Sequence, residues 1–95
     1  MANRWVVTVE NENDSETRAV TIHDTELAAY KAAGKAVREA LVEMLEALEV
    51  DDEERNDANE LIEAAESDKL EDLQYAVDEY MNEPFETLIN VDEAE

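Results

Sequence analysis

Hydrophobic and polar residues alternate near both ends of the chain, which is the pattern of strands with one buried face. The alternation covers residues 4–10 and residues 17–23, where Val20 and Ile22 share one side. Turn-forming residues separate these two segments, so we predict a β-hairpin. Residues 85–91 alternate in the same way and predict a third strand.

A long helix is predicted after the hairpin. Asp24 or Thr25 can serve as its N-cap, and the helical spacing of apolar residues runs to about Glu49. Gly34 lies on the apolar side although glycine costs about 1 kcal/mol relative to alanine inside a helix. We therefore expect a strand or Trp5 to approach Gly34 closely. The predicted apolar stripe consists of Leu27, Tyr30, Gly34, Val37, Leu41, Met44 and Leu48.

Two shorter helices are predicted before the third strand. Asp51 and Asp52 offer N-caps for the second helix, and the third begins at Ser67 or Asp68. The third helix ends before Pro84, because proline cannot donate the helical hydrogen bond.

These elements give one predicted domain. An antiparallel sheet covered by the helices on one face would bury all the apolar stripes. We therefore predict a single α+β domain of order ββαααβ over residues 1–91, followed by a frayed acidic tail at residues 92–95.

The charge of the chain restricts its partners. Its 95 residues hold 28 Asp and Glu against 7 Lys and Arg, which gives a net charge of −21. Nucleic acids and anionic membranes repel such a protein. The sequence has no apolar run of membrane-spanning length and does not begin like a signal peptide. We therefore expect a soluble, cytoplasmic protein whose partners are basic proteins.

The acids are concentrated in the second half of the chain. Residues 1–50 hold ten acids and five bases, whereas residues 51–95 hold eighteen acids and two bases. Within the first helix, Lys31, Lys35 and Arg38 precede four glutamates. The helix dipole favours the reverse order of charges. The stability of the helix alone therefore does not explain the order that the sequence has.

Most helical acids face outward when the apolar stripes face inward. Tyr75 falls among these acids, where it is either an anchor for a partner or a ring tucked against a neighbouring element. The predicted partner-binding residues are Glu39, Glu43, Glu46, Glu49, Asp51, Asp52, Glu53, Glu54, Asp57, Glu60, Glu63, Glu66, Asp68, Glu71, Asp72, Tyr75, Asp78 and Glu79.

The density of this charge is close to that of DNA. A compact domain of this length has a radius of gyration near 12 Å and thus a diameter of roughly 30 Å. The same length of B-DNA carries roughly 18 charges, at one per ~1.7 Å. In size, charge and helical acidic surface, the chain resembles the phage-encoded DNA-mimic inhibitors of bacterial defence, the anti-restriction and acidic anti-CRISPR proteins. This resemblance includes no motif. It implies a non-enzymatic inhibitor in the host-cell cytoplasm that occupies the basic nucleic-acid-binding site of a defence effector.

Two other interpretations of the acidity stay open. Salt-adapted proteins are rich in Asp and Glu and poor in Lys, as this chain is, although their acids are spread evenly. An acidic adaptor or antitoxin would neutralise a basic partner that does not bind nucleic acid. Competition with DNA separates this last class from a mimic, since DNA displaces only a mimic.

The sequence offers little for catalysis or for ligand binding. His23 is the only histidine and is expected at a strand end, and Ser15 and Ser67 fall in predicted turns without a nearby base. A calcium loop read from Asp52 has Asp57 where the sharp turn requires glycine. We therefore predict no enzymatic activity, no cofactor and no specific metal site.

The oligomeric state is open between a monomer and a homodimer. Dimerisation would lengthen the charged surface but add repulsion between the copies. The predicted strand edges at Val6 or Phe85 are the routes by which it would occur.

Overall fold

The structure, a computed structural model, describes residues 4–11, 17–82 and 87–94. The predicted turn around Ser15, the helix break at Pro84 and the strand start at Phe85 lie outside these ranges.

The order of elements confirms the predicted α+β arrangement, ββαααβ. The elements are β1 (Arg4–Asn11), β2 (Thr17–His23), α1 (Glu26–Ala47), α2 (Asp52–Ala65), α3 (Leu70–Asn82) and β3 (Thr87–Ala94).

The three strands form one antiparallel sheet in the order β2-β1-β3. Because β1 lies in the centre, Val6 has a strand on each side and cannot form the free edge that the sequence suggested. The free edges of this sheet belong to β2 and β3.

Residues 92–94 are not frayed, contrary to the prediction for residues 92–95, of which residue 95 lies outside the described ranges. β3 continues to Ala94, and its last residues pair with the first residues of β1, Ala94 opposite Arg4 and Glu93 opposite Trp5. Pairing with the central strand therefore holds the backbone of residues 92–94 in the sheet.

The two faces of the sheet differ in burial. Val7 and Ile89 lie on the inner face under α1 and are buried. Val20 and Ile22 were expected in the core, but they are 56% and 62% exposed. The register explains this difference, because Ile22 pairs with Val6 and directly paired residues share a face. The apolar stripe of β2 therefore lies on the open face of the sheet.

α1 contacts every other element and is buried on more than one side. The Thr25 hydroxyl accepts a hydrogen bond from the Ala28 amide and caps the helix, as one of the two predicted caps. Ala29, Ala33 and Ala40 are buried although they lie outside the predicted stripe. The small side chains allow the sheet and the other helices to approach α1 from different sides, whereas Leu27 and Leu48 at the ends of the predicted stripe are exposed.

Gly34 has the packing role that was expected, but its neighbour is not a strand or Trp5. A Cβ atom at this position would lie 2.7 Å from the carbonyl oxygen of Ala65 and 3.0 Å from Cδ2 of Leu73. The C-terminal end of α2 therefore packs directly against the α1 backbone, and only glycine leaves room for it.

The N-cap of α2 is one of the two residues predicted from the sequence, whereas the start of α3 differs from its prediction. The Asp51 carboxylate accepts from the Glu54 amide at 2.8 Å. α3 begins at Leu70 rather than at Ser67 or Asp68. The Ser67 hydroxyl instead accepts from the Lys69 amide in the turn that joins the two helices, and it donates to the Asp72 carboxylate in the first turn of α3.

A buried hydrogen bond links α3 to the start of β3. The Tyr80 hydroxyl donates to the Thr87 carbonyl oxygen at 2.6 Å, and the Tyr80 ring is almost completely buried. This bond positions the end of α3 beside the sheet.

Candidate functional site

All eighteen predicted partner-binding residues are exposed. They lie on the three helices and their connections, and none lies on the sheet. Tyr75 is 51% exposed, so its ring is available to a partner rather than fully packed against a neighbouring element. The eighteen residues do not form one continuous face, because some of them line two separate grooves.

At one end of the helices the acids are paired with bases. We call this the turn end, formed by the α2–α3 turn (residues 66–69) and the earlier half of α1. The Lys31 ammonium lies 3.2 Å from the Asp68 carboxylate, and the Arg38 guanidinium pairs with Glu66. The order of charges in α1 therefore has a structural reason that the helix dipole does not give. Lys31 and Arg38 lie where they can pair with acids of the α2–α3 turn.

The opposite end of the helices carries the largest excess of acid. We call residues 39–60 the acidic end; they hold ten acids and one base, Arg55. The connection of residues 48–51 reverses the chain, so that α2 packs back along α1 and its last turn reaches Gly34. Among the described residues, none of the ten acids of the acidic end forms an ion pair with a base.

A groove opens where α2 and α3 meet the later half of α1, and we call it the tyrosine groove. Its volume is about 540 Å³. The apolar side chains along it are Leu41, Met44, Leu61, Tyr75 and Tyr80, and the acidic ones are Glu54, Asp57, Glu60 and Glu79. The sequence predicts the exposure of Tyr75 and the acids, but it places Leu41 and Met44 only in the core, because three helices together create the groove.

The tyrosine groove suits a lysine or arginine side chain. Its apolar walls can pack against the aliphatic part of such a side chain, while the carboxylates contact the charged end. A guanidinium can also stack on the exposed ring of Tyr75. The carboxylates of this groove therefore favour cationic groups over anionic ones.

The second groove lies between α1 and the inner face of the sheet. Its volume is about 470 Å³, and we call it the alanine groove. Its apolar walls are Val7, Val9, Ala32, Ala36 and Ala40, and Lys35, Glu39 and Glu43 stand beside them. This groove is not predicted from the sequence, because alanines spaced by four residues give only a weak apolar face.

The molecule is longer than the sphere assumed from its length. It measures 48 × 31 × 17 Å with a radius of gyration of 13.3 Å. A net charge of −21 over 48 Å gives one charge per about 2.3 Å, against ~1.7 Å for B-DNA. The average charge per unit length is thus lower than that of duplex DNA. The acids without a described ion-pair partner are concentrated at the acidic end.

Tyr30 is the titratable group whose environment is most clearly altered. Burial raises the pKa of the Tyr30 hydroxyl, and the nearby charges of Asp78 and Glu26 raise it further. The Glu26 carboxylate in turn accepts a hydrogen bond from the Gln74 amide at 2.9 Å. Tyr30 therefore stays protonated near neutral pH.

The remaining candidates for chemistry have local structural roles. The His23 ring lies 2.9 Å from the Thr21 hydroxyl, two residues away on the same strand. The segment considered as a calcium loop is part of α2, so its side chains are distributed around a helix and do not enclose an ion. Among the residues that the structure describes, no group of three His, Asp or Glu side chains is arranged to hold a metal ion.

No helix in the described part of the chain is both long and apolar enough to cross a membrane.

Comparison with known proteins identifies no relative of this chain. No protein-family model, curated protein or solved structure matches this chain. What the chain binds must therefore be inferred from its exposed charges and its grooves.

Proposed function

We propose that this protein is a non-enzymatic DNA mimic that inhibits a basic nucleic-acid-binding protein by occupying its nucleic-acid site. The proposed targets are effectors of bacterial defence, of the restriction or CRISPR type. One observation carries the proposal: the acidic end presents ten exposed carboxylates without a described ion-pair partner, beside a groove with an exposed tyrosine.

Electrostatic complementarity would drive the first encounter. The basic groove of a nucleic-acid-binding protein and the acidic end attract one another over distances set by the Debye length, about 10 Å at 0.1 M salt. This attraction accelerates association and releases ions from both surfaces. The binding energy is spread over many carboxylates, so single charge substitutions have small effects.

The helical framework fixes the spacing of the carboxylates. Side chains three or four residues apart on one helix face are neighbours at ~5–6 Å, which is comparable with phosphate steps along a nucleic-acid strand. Asp57, Glu60 and Glu63 follow this spacing on α2, and Glu39, Glu43 and Glu46 follow it on α1. A framework of packed helices holds these charges without the entropy cost of ordering a flexible acidic tail.

Tyr75 adds a contact that phosphates lack. Aromatic residues at the centre of an interface concentrate binding energy when polar groups around them exclude water. Tyr75 lies among carboxylates that can surround a bound arginine or lysine of the target. This arrangement supports a protein partner, since a basic side chain uses both the ring and the charges.

Competition with duplex DNA tests the proposal. Proteins retained from a bacterial lysate on the immobilised chain at low salt are eluted with duplex DNA and identified. We expect elution of a DNA-binding protein whose activity the chain inhibits, and its affinity should fall at least tenfold between 50 and 200 mM salt, the loss that about two phosphate contacts would give.

Two outcomes would contradict the proposal. If the captured proteins stay bound when DNA is added, the chain is an acidic adaptor rather than a mimic. If circular dichroism shows that the chain is unfolded unless molar salt is present, the acidity is a salt adaptation. A bait that carries Lys in place of Glu43, Glu46, Glu60 and Glu63 serves as the control for non-specific retention.

A further inference from the structure

Residues 20–22 of β2 are exposed on both faces of the strand. β2 is an edge strand paired only with β1. Val20, Thr21 and Ile22 are all exposed, although successive side chains of a strand point to opposite faces. All three are β-branched residues, which are common in strands that pack on both sides.

β2 also differs from every other described element in charge. Residues 17–23 contain Arg18 and His23 and no acid, whereas each of the other strands and helices contains at least one acid. Repulsion between two copies that each carry −21 is weakest where carboxylates are absent. An exposed strand edge that carries no Asp or Glu side chain is also a template for strand pairing.

We propose that two copies of this protein associate by antiparallel pairing of their β2 strands. Val20 is the middle residue of β2, so pairing centred on Val20 aligns the full length of both strands. The product is a six-stranded sheet in which Val20 and Ile22 of the two copies are neighbours on the open face. A two-fold axis relates the copies, and each copy contributes the same surface.

The second copy fits this edge better than the basic target does. A basic protein finds no carboxylate on β2, whereas another β2 strand offers matching backbone groups and a second Val20 directly opposite the first. Backbone hydrogen bonds supply the affinity in such strand addition. This proposal is independent of the proposed function, since it uses an edge that the acidic end does not include.

Salt should promote this dimer, because salt screens the repulsion between the two negatively charged copies. The Debye length falls from ~30 Å at 0.01 M salt to ~3 Å at 1 M, so high salt removes most of the repulsion. Light scattering coupled to size exclusion should therefore report 10.8 kDa at low salt and about twice that mass at high salt. Complexes with a basic target show the opposite salt dependence, which distinguishes the two associations.

Matched lysine substitutions on the two edge strands test the position of the contact. Ile22→Lys lies on β2 and Asn90→Lys lies on β3, both positions are exposed, and each variant gains one positive charge. We expect Ile22→Lys to raise the dimer dissociation constant at least tenfold, because a lysine on an edge strand opposes pairing. Asn90→Lys should change it by less than about twofold.

Hydrogen exchange of the unmodified chain gives a second readout that does not depend on the folding of a variant. The β2 amides should become more protected as protein concentration rises, and the β3 amides should not. The proposal is overturned if the mass stays at 10.8 kDa at every salt and protein concentration. Equal loss of the dimer in both variants, or protection of β3 alone, would also overturn it.

Discussion

The two ends of the helical layer carry acids in two different settings. At the turn end, Asp68 and Glu66 are paired with Lys31 and Arg38, and the α2 backbone touches Gly34. At the acidic end, residues 39–60 hold ten acids and one base, and no described base pairs with these acids. The difference indicates that the turn end stabilises the fold, while the acidic end leaves its charge available to a partner.

Charge reversal at the acidic end and at the neighbouring Glu63 of α2 is expected to have the largest effect. Replacing Glu43, Glu46, Glu60 and Glu63 by Lys should weaken target binding at least about 100-fold, since several interfacial charges change sign together. The fold should remain intact, because all four side chains are exposed. Calorimetry of the complex and circular dichroism of the free chain measure the two quantities.

A matched pair of double variants separates position from total charge. Glu46→Lys with Glu60→Lys changes the acidic end, and Asp24→Lys with Asp92→Lys makes the same change in net charge elsewhere. The first pair should weaken binding much more than the second. Equal losses would mean that total charge, not the acidic end, governs binding.

Gly34→Ala should have the next largest effect, and it acts on stability. Helix propensity alone would raise the free energy of unfolding by up to about 1 kcal/mol. The added Cβ meets the Ala65 carbonyl oxygen at 2.7 Å, a backbone atom that cannot rotate away. We expect a net loss of about 1–3 kcal/mol in urea unfolding, as for other overpacked sites. A gain in stability would show that α2 does not approach α1 this closely.

Removing the ion pairs of the turn end should have the smallest effect. Lys31→Gln and Arg38→Gln each break one pair whose side chains are about half exposed or more. Each should lower the free energy of unfolding by at most about 1 kcal/mol at low salt, and by less at high salt. Target binding should not weaken, since the freed acids add to the exposed charge. Weaker binding in these variants would show that the turn end takes part in the interface.

The order of elements and the exposure of the acids could be predicted from the sequence, because both depend on local periodicity. The exposure of Val20 and Ile22 could not be predicted, since the register between β1 and β2 decides which face is inward. The extra buried face of α1 was missed because Ala33 and Ala40 give a weak hydrophobic signal. The tyrosine groove requires three helices to meet, which no single helical pattern shows.

The pairing of β1 with β3 makes the chain almost a closed ring. Arg4 lies opposite Ala94, so the first and last described residues are neighbours in the sheet. This pairing has a very large separation along the sequence, and such contacts form late because closing a long loop costs entropy. During synthesis β1 therefore has only the hairpin with β2 until the last strand emerges. The sheet is completed by β3, which follows the helices that cover it.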